Sequence, residues 1–324
     1  MIALAPRSRS GRAVAAVALV LAVVGGLFAG YGANVFGPDR LCRGWITGAD
    51  AERALPGGGR LGESQESAST CTVERSGWWP WGEKRRLTVR VVSEKPRFPF
   101  EMSLWNVSGA SALLTGPVTG AVDRWGGWAF LPEECVGTAP GTRSGERPTV
   151  RVSLSRDEAL DTTARIVSAA VGGVSRQSGC EAADGSGADT PSPLRPSAVT
   201  NSDLDEVCGV PGFALPGLRG PGGARVREQT SGSFDSAWFC DLSFAGDDDG
   251  PFTRIGVVKT PELTASLQDT GVRRFSCGGR ETYVALDDLS YPWEPEERRA
   301  AGLVDQAELG KLLVDGLRGS AACG

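Results

Sequence analysis

Histidine is missing from this chain altogether. Its absence excludes serine and cysteine nucleophiles that depend on an imidazole base, zinc sites with imidazole ligands, and HExxH metalloproteases. No two of the 8 cysteines form a CxxC pair, which removes zinc knuckles and thioredoxin-like redox motifs. G-x-S-x-G and Ser-x-x-Lys are absent too. Basic residues are not in excess: 34 Lys and Arg against 39 Asp and Glu leave a net charge of −5, which argues against a nucleic-acid binder. No cofactor motif is present. Gly77 to Lys84 has the glycine spacing of a phosphate loop, but Glu83 stands where its lysine belongs, and Trp78, Trp79 and Trp81 replace its small residues.

What is present begins with a charge-free stretch of 24 residues, 13–36. As a helix it would reach about 36 Å, enough for a bilayer core of about 30 Å. Arg7, Arg9 and Arg12 precede it, and no acidic residue occurs before Asp39. The positive-inside rule then puts residues 1–12 in the cytoplasm, a single transmembrane helix over 13–36, and the rest of the chain outside. A cleaved signal is the competing reading, with a poor cleavage site near Gly30-Tyr31-Gly32-Ala33. Either way the body is exported. Without the three leading arginines it carries 31 basic and 39 acidic residues, a balance of −8.

Length and cysteine spacing divide that body. A chain of 324 residues suits two domains. Cys42, Cys71, Cys135 and Cys180 are separated by 29, 64 and 45 residues; Cys208, Cys240, Cys277 and Cys323 are separated by 32, 37 and 46. First and last gaps nearly match, as in a duplicated module with an insertion in one copy. An even count in an exported chain points to disulfides. Four cysteines allow three pairings per module, and the shared gaps favour first with second and third with fourth. The modules are expected at 37–180 and 204–324, joined by a Pro-, Ser- and Gly-rich linker over 181–203.

The expected fold class is α+β, two tandem modules after the transmembrane helix, each an antiparallel sheet with a long C-terminal helix on one face. Thr47 and Asp50 start a short helix to Leu55. Strands are expected at Ser69–Val73, Leu87–Val92, Gly127–Leu131 and Thr149–Leu154, then at Ala237–Phe244, Thr253–Lys259, Val272–Ser276 and Glu281–Leu286. The long helices carry Leu160, Ala164, Val167, Val171 and Val174 in one copy, and Leu303, Ala307, Gly310, Val314 and Leu317 in the other, from near Pro295. Asp247-Asp248-Asp249-Gly250 invites a calcium reading, but lacks the alternating ligand pattern and reads as a hairpin turn.

Leu41-Cys42, the run Ile46 to Leu55, and Ser69 to Val73 resemble the opening of actinobacterial cell-envelope lipoproteins of unknown function. The resemblance covers Leu41–Val73 and implies a cell-envelope location. Cys42 follows Asp39-Arg40-Leu41 rather than a lipobox, and no catalytic or metal-binding residue is carried over.

Tryptophan is unevenly spread. Trp45, Trp78, Trp79, Trp81, Trp105, Trp125 and Trp128 all fall in the first module. Trp78, Trp79 and Trp81 either form a binding surface for a sugar, polymer or lipid headgroup, or pack inside the insertion; three exposed indoles together would invite aggregation, which favours packing. The expected function is a non-catalytic, membrane-anchored envelope protein that binds a protein or wall component, without metal or cofactor. The alternatives are a carboxylate-dependent glycan hydrolase and a spacer with no ligand.

Overall fold

The computed structural model describes residues 16–23, 25–26, 37–76, 84–94, 107–116, 118–181, 193–246, 250–264, 273–287, 296, 301–320 and 323. The fold departs from the expected class in three ways. No helix among the described residues is long and apolar enough to cross a membrane. Residues 16–23 are helical and exposed; eight residues rise only about 12 Å. The rest of 13–36, apart from the helical residues 25 and 26, lies outside the described residues.

Second, there are three sheets rather than two. A two-stranded ribbon of β1 (Arg40–Leu41) and β2 (Ile46–Thr47) leads into α1 (Gly48–Ala54), whose first turn is capped by Thr47 accepting the Asp50 N–H at 3.1 Å. A seven-stranded antiparallel sheet follows, built from β3 (Leu61–Ser67), β4 (Thr70–Arg75), β5 (Arg85–Glu94), β6 (Ala112–Leu114), β7 (Gly120–Val122), β8 (Gly126–Phe130) and β9 (Arg147–Leu154). Its order is β3-β4-β5-β9-β8-β7-β6. Helix α2 (Leu160–Ser178) covers one face. A six-stranded sheet contains β10 (Thr200–Asn201), β11 (Val226–Gly232), β12 (Ala237–Phe244), β13 (Thr253–Val258), β14 (Arg273–Cys277) and β15 (Arg280–Asp287), in the order β10-β11-β12-β13-β15-β14. A short α3 (Pro261–Thr264) follows β13, and α4 (Gln306–Gly319) packs on this sheet.

Third, the two large sheets share a core. Strand β12 shows why. Trp238, Cys240, Leu242 and Phe244 point toward α4, while Ala237 and Phe239 point the other way and are equally buried. A strand apolar on both faces needs a layer on each side. The second layer is the other sheet: Leu113, Ala121, Trp128 and Phe130 pack against Ala237, Phe239, Val258, Tyr283 and Ala285. The molecule is therefore a stack of helix, sheet, sheet and helix, with one apolar layer between each pair.

The joint is sealed at backbone range. Gly109 lies so close to β11 and β12 that a Cβ would overlap the Gln229 carbonyl oxygen and sit 2.8 Å from the Asp241 nitrogen. The Ser231 hydroxyl donates to the Ser111 carbonyl. Part of the segment read as a linker is ordered: Leu194 bridges to Leu113, and β10 pairs with β11. The linker residues 182–192 lie outside the described residues.

Candidate functional site

A single row of side chains crosses the seven-stranded sheet on the face away from α2. It runs Thr70, Arg90, Arg151, Trp128, Ala121, Leu113, each opposite the next on the neighbouring strand. Trp128, Ala121 and Leu113 belong to the core between the sheets. Arg151 is half-buried and Arg90 exposed, so the row reaches solvent at its two arginines before ending at the buried Thr70.

Where it emerges lies a groove of about 200 Å³, lined by Asp123, Trp125, Gly126, Gly127, Trp128 and Arg151 among others. The turn between β7 and β8 shapes it. Asp123 donates its N–H to the Gly126 carbonyl at 2.8 Å, and its side chain accepts the Trp125 N–H at 2.7 Å. Gly126 holds φ 153°, and a Cβ there would overlap the Val152 carbonyl, so no other residue fits. Leu154 N–H bonds the Trp125 carbonyl at 2.7 Å, and Glu158 N–H bonds that of Arg124 at 2.8 Å. With the main chain pinned on both sides, the Trp125 indole is left 58% exposed at the groove mouth.

A larger hollow of about 490 Å³ borders β3 and β4, with Arg40, Arg60, Glu63, Glu74, Arg75 and Lys84 in its wall. Its polar groups serve the fold. Glu63 accepts the Cys42 N–H, and Glu74 pairs with Arg86 at 2.7 Å. Arg75 is buried, donating to the Leu55 and Gly59 carbonyls beyond the C-terminus of α1. Burial pulls its guanidinium below the usual arginine value, and nearby Glu52 opposes that shift.

No family model, curated protein or solved structure matches this chain.

The eight cysteines form four disulfides, Cys42–Cys71, Cys135–Cys180, Cys208–Cys240 and Cys277–Cys323. Such a set is the mark of a chain that folds outside the reducing cytoplasm, extracytoplasmic or secreted. Cys42, Glu63 and Cys71 lie close enough to suggest a metal site. Both sulfurs are bonded to each other, so neither offers the thiolate a metal needs. Trp78, Trp79 and Trp81 lie outside the described residues, as do Asp247, Asp248 and Asp249. Trp45 and Trp128 are buried. The groove residues Trp125 and Arg151 were not legible as a site. The usable signal was Asp123-Arg124-Trp125-Gly126, a turn that leaves a large aromatic no inward space.

Proposed function

We propose that this chain is an exported, non-catalytic binding protein of the cell envelope, which docks a protein or wall component in the groove beside Trp125. The observation that carries the reading is that exposed indole, held by a rigid turn next to a polar groove. Exposed aromatics on rigid supports are typical anchors of binding sites. The acids lining the two hollows support binding over hydrolysis. Asp123 holds its own turn, Glu74 holds Arg86, and Glu63 holds Cys42. Strand alternation also sets Glu63 and Glu74 on opposite faces of the sheet, not across a cleft as glycan hydrolysis requires. The charge-free stretch 13–36 behind Arg7, Arg9 and Arg12 supports export of everything after it, with the N-terminus on the cytoplasmic side. The likeness of Leu41–Val73 to actinobacterial envelope proteins supports the same location.

The test is pulldown by the immobilised full chain from cell-wall and membrane fractions, with mass spectrometry of what remains. Trp125→Ala should reduce the retained component at least tenfold without lowering the unfolding midpoint. Equal retention by the variant would refute the groove as the docking site.

A further inference from the structure

In the second half, the outer edge of β11 is closed by the chain itself. The Ala245 N–H bonds the Arg225 carbonyl at 2.8 Å, so antiparallel alternation turns the main-chain groups of Val226, Glu228 and Thr230 away from β12. Residues 197–202 meet all three. The Ser202 N–H bonds the Val226 carbonyl at 3.0 Å, Thr200 faces Glu228, and the Ser197 N–H bonds the Thr230 carbonyl at 2.7 Å. Strand β3 is the counterpart of β11, because Glu63 and Glu228 each accept the N–H of the first cysteine of their half. The Ser76 N–H bonds the Arg60 carbonyl at 3.1 Å, so Glu63 and Gln65 turn their main-chain groups outward in the same way. Among the described residues, no main-chain group pairs with that side of either. The positions before Cys42 that match β10 before Cys208, residues 34 and 35, lie outside the described residues.

The hollow of about 490 Å³ runs along this edge, with residues 60–64 in its wall. A Cβ on Gly62 would meet nothing within 4 Å. The two acids of the wall are committed, Glu63 to the Cys42 N–H and Glu74 to Arg86. Arg40, Arg60 and Lys84 line the same hollow, are exposed, and form no ion pair among the described residues. We propose that β3 takes an extended acidic peptide of a partner protein as an added strand, bonded to Glu63 and Gln65 with its carboxylates against Arg40, Arg60 and Lys84. Strand addition draws its affinity from main-chain bonds and its specificity from neighbouring side chains. The closed edge of β11 shows that a strand fits there with the disulfide and its glutamate in place. Charge selects the occupant: the chain's own residues 31–36 carry none to answer three cations. The irregularity between Gln65 and Ser67 limits the docking stretch to Gly62–Gln65. This site is separate from the Trp125 groove and does not rest on it.

The experiment is calorimetric titration of the full chain with three probes: an acetylated heptapeptide of alternating glutamate and valine, its lysine-for-glutamate version, and its fully N-methylated version, which keeps the carboxylates but has no main-chain donor. The acidic peptide should bind at least ten times more tightly than either control, and more weakly as salt rises. Arg60→Gln combined with Lys84→Gln should weaken that binding at least tenfold. Both positions are exposed, and a matching unfolding midpoint would verify folding. Hydrogen exchange at the Glu63 and Gln65 amides should be fast in the free chain and slowed by the acidic peptide. No binding, equal affinity for either control, or a double variant that binds unchanged would each overturn the proposal. Slow exchange of those amides in the free chain would overturn it as well. If independent of protein concentration, that result would assign the edge to the chain's own residues; if growing with concentration, to a second copy.

Discussion

Cys42 and Cys208 adopt the left-handed conformation, at φ 55° and 59°, which is unfavourable for residues with a side chain. Each has the same compensation. Glu63 accepts the Cys42 N–H, and Glu228 accepts the Cys208 N–H at 2.8 Å while also taking the Ser202 hydroxyl at 2.6 Å. Each glutamate stands two residues before the one opposite the second cysteine of its disulfide: Gln65 faces Cys71, and Thr230 faces Cys240. Glu228→Ala should therefore lower stability by about 1–3 kcal/mol in urea unfolding, by stranding a partly buried N–H. An unchanged midpoint would mean that solvent replaces the carboxylate. A second matched pair lies seven residues before the last cysteine of each set, at Gly173 and Gly316. A Cβ on Gly173 would overlap the Trp45 carbonyl, and one on Gly316 would lie 2.9 Å from the Phe213 nitrogen. Alanine favours helices, so propensity alone predicts that Gly173→Ala stabilises. The expected outcome is the reverse, a loss of about 1–3 kcal/mol by thermal or urea unfolding, with Gly316→Ala milder.

At the scale of elements, the sequence was legible where apolar periodicity was strong. Helix α2 and strands β9 and β12 fall within a few residues of their expected places. The final helix starts at Gln306 rather than near Pro295, capped by Asp305 accepting the Glu308 N–H at 2.8 Å. Strands β3 and β11 were not anticipated. Their sequences, LGESQES and VREQTSG, lack apolar alternation, because β3 is an edge strand and β11 is followed outward only by the two-residue β10. Pairing with a strong neighbour decides such strands more than their own side chains do. Strand β15 offers a pH test. The Tyr283 hydroxyl donates to Glu281 at 2.8 Å, and this bond, then burial, raises the phenol above its usual value of 10.0. The folded chain thus holds that proton more tightly than the unfolded one. Stability from this group is complete below pH 10 and is lost as pH rises through the folded value. Urea unfolding at successive alkaline pH values should show a decline that Tyr283→Phe makes shallower. Identical curves would place the alkaline sensitivity elsewhere.

The whole molecule depends on the layer between its sheets. Separated at the linker, the second half would expose Ala237, Phe239, Val258 and Ala285, a large contiguous apolar surface. Residues 193–324 produced alone should bind a hydrophobic dye and aggregate, whereas the full chain should unfold in one transition. Two independent transitions matching those of isolated halves would contradict the shared core. Gly109→Ala probes the same joint in the intact chain, and should lower stability by about 1–3 kcal/mol while increasing dye binding. By itself the sequence determined which chemistries cannot operate without histidine, and its cysteine count and spacing pointed to the four disulfides found and to a chain that folds outside the reducing cytoplasm. Those follow from counts and spacings along the chain. Only the tertiary structure decided that the two sheets bury each other's second face, and that Trp125 and Arg151 line one groove. Both depend on strand order and register across distant segments, which local periodicity does not encode.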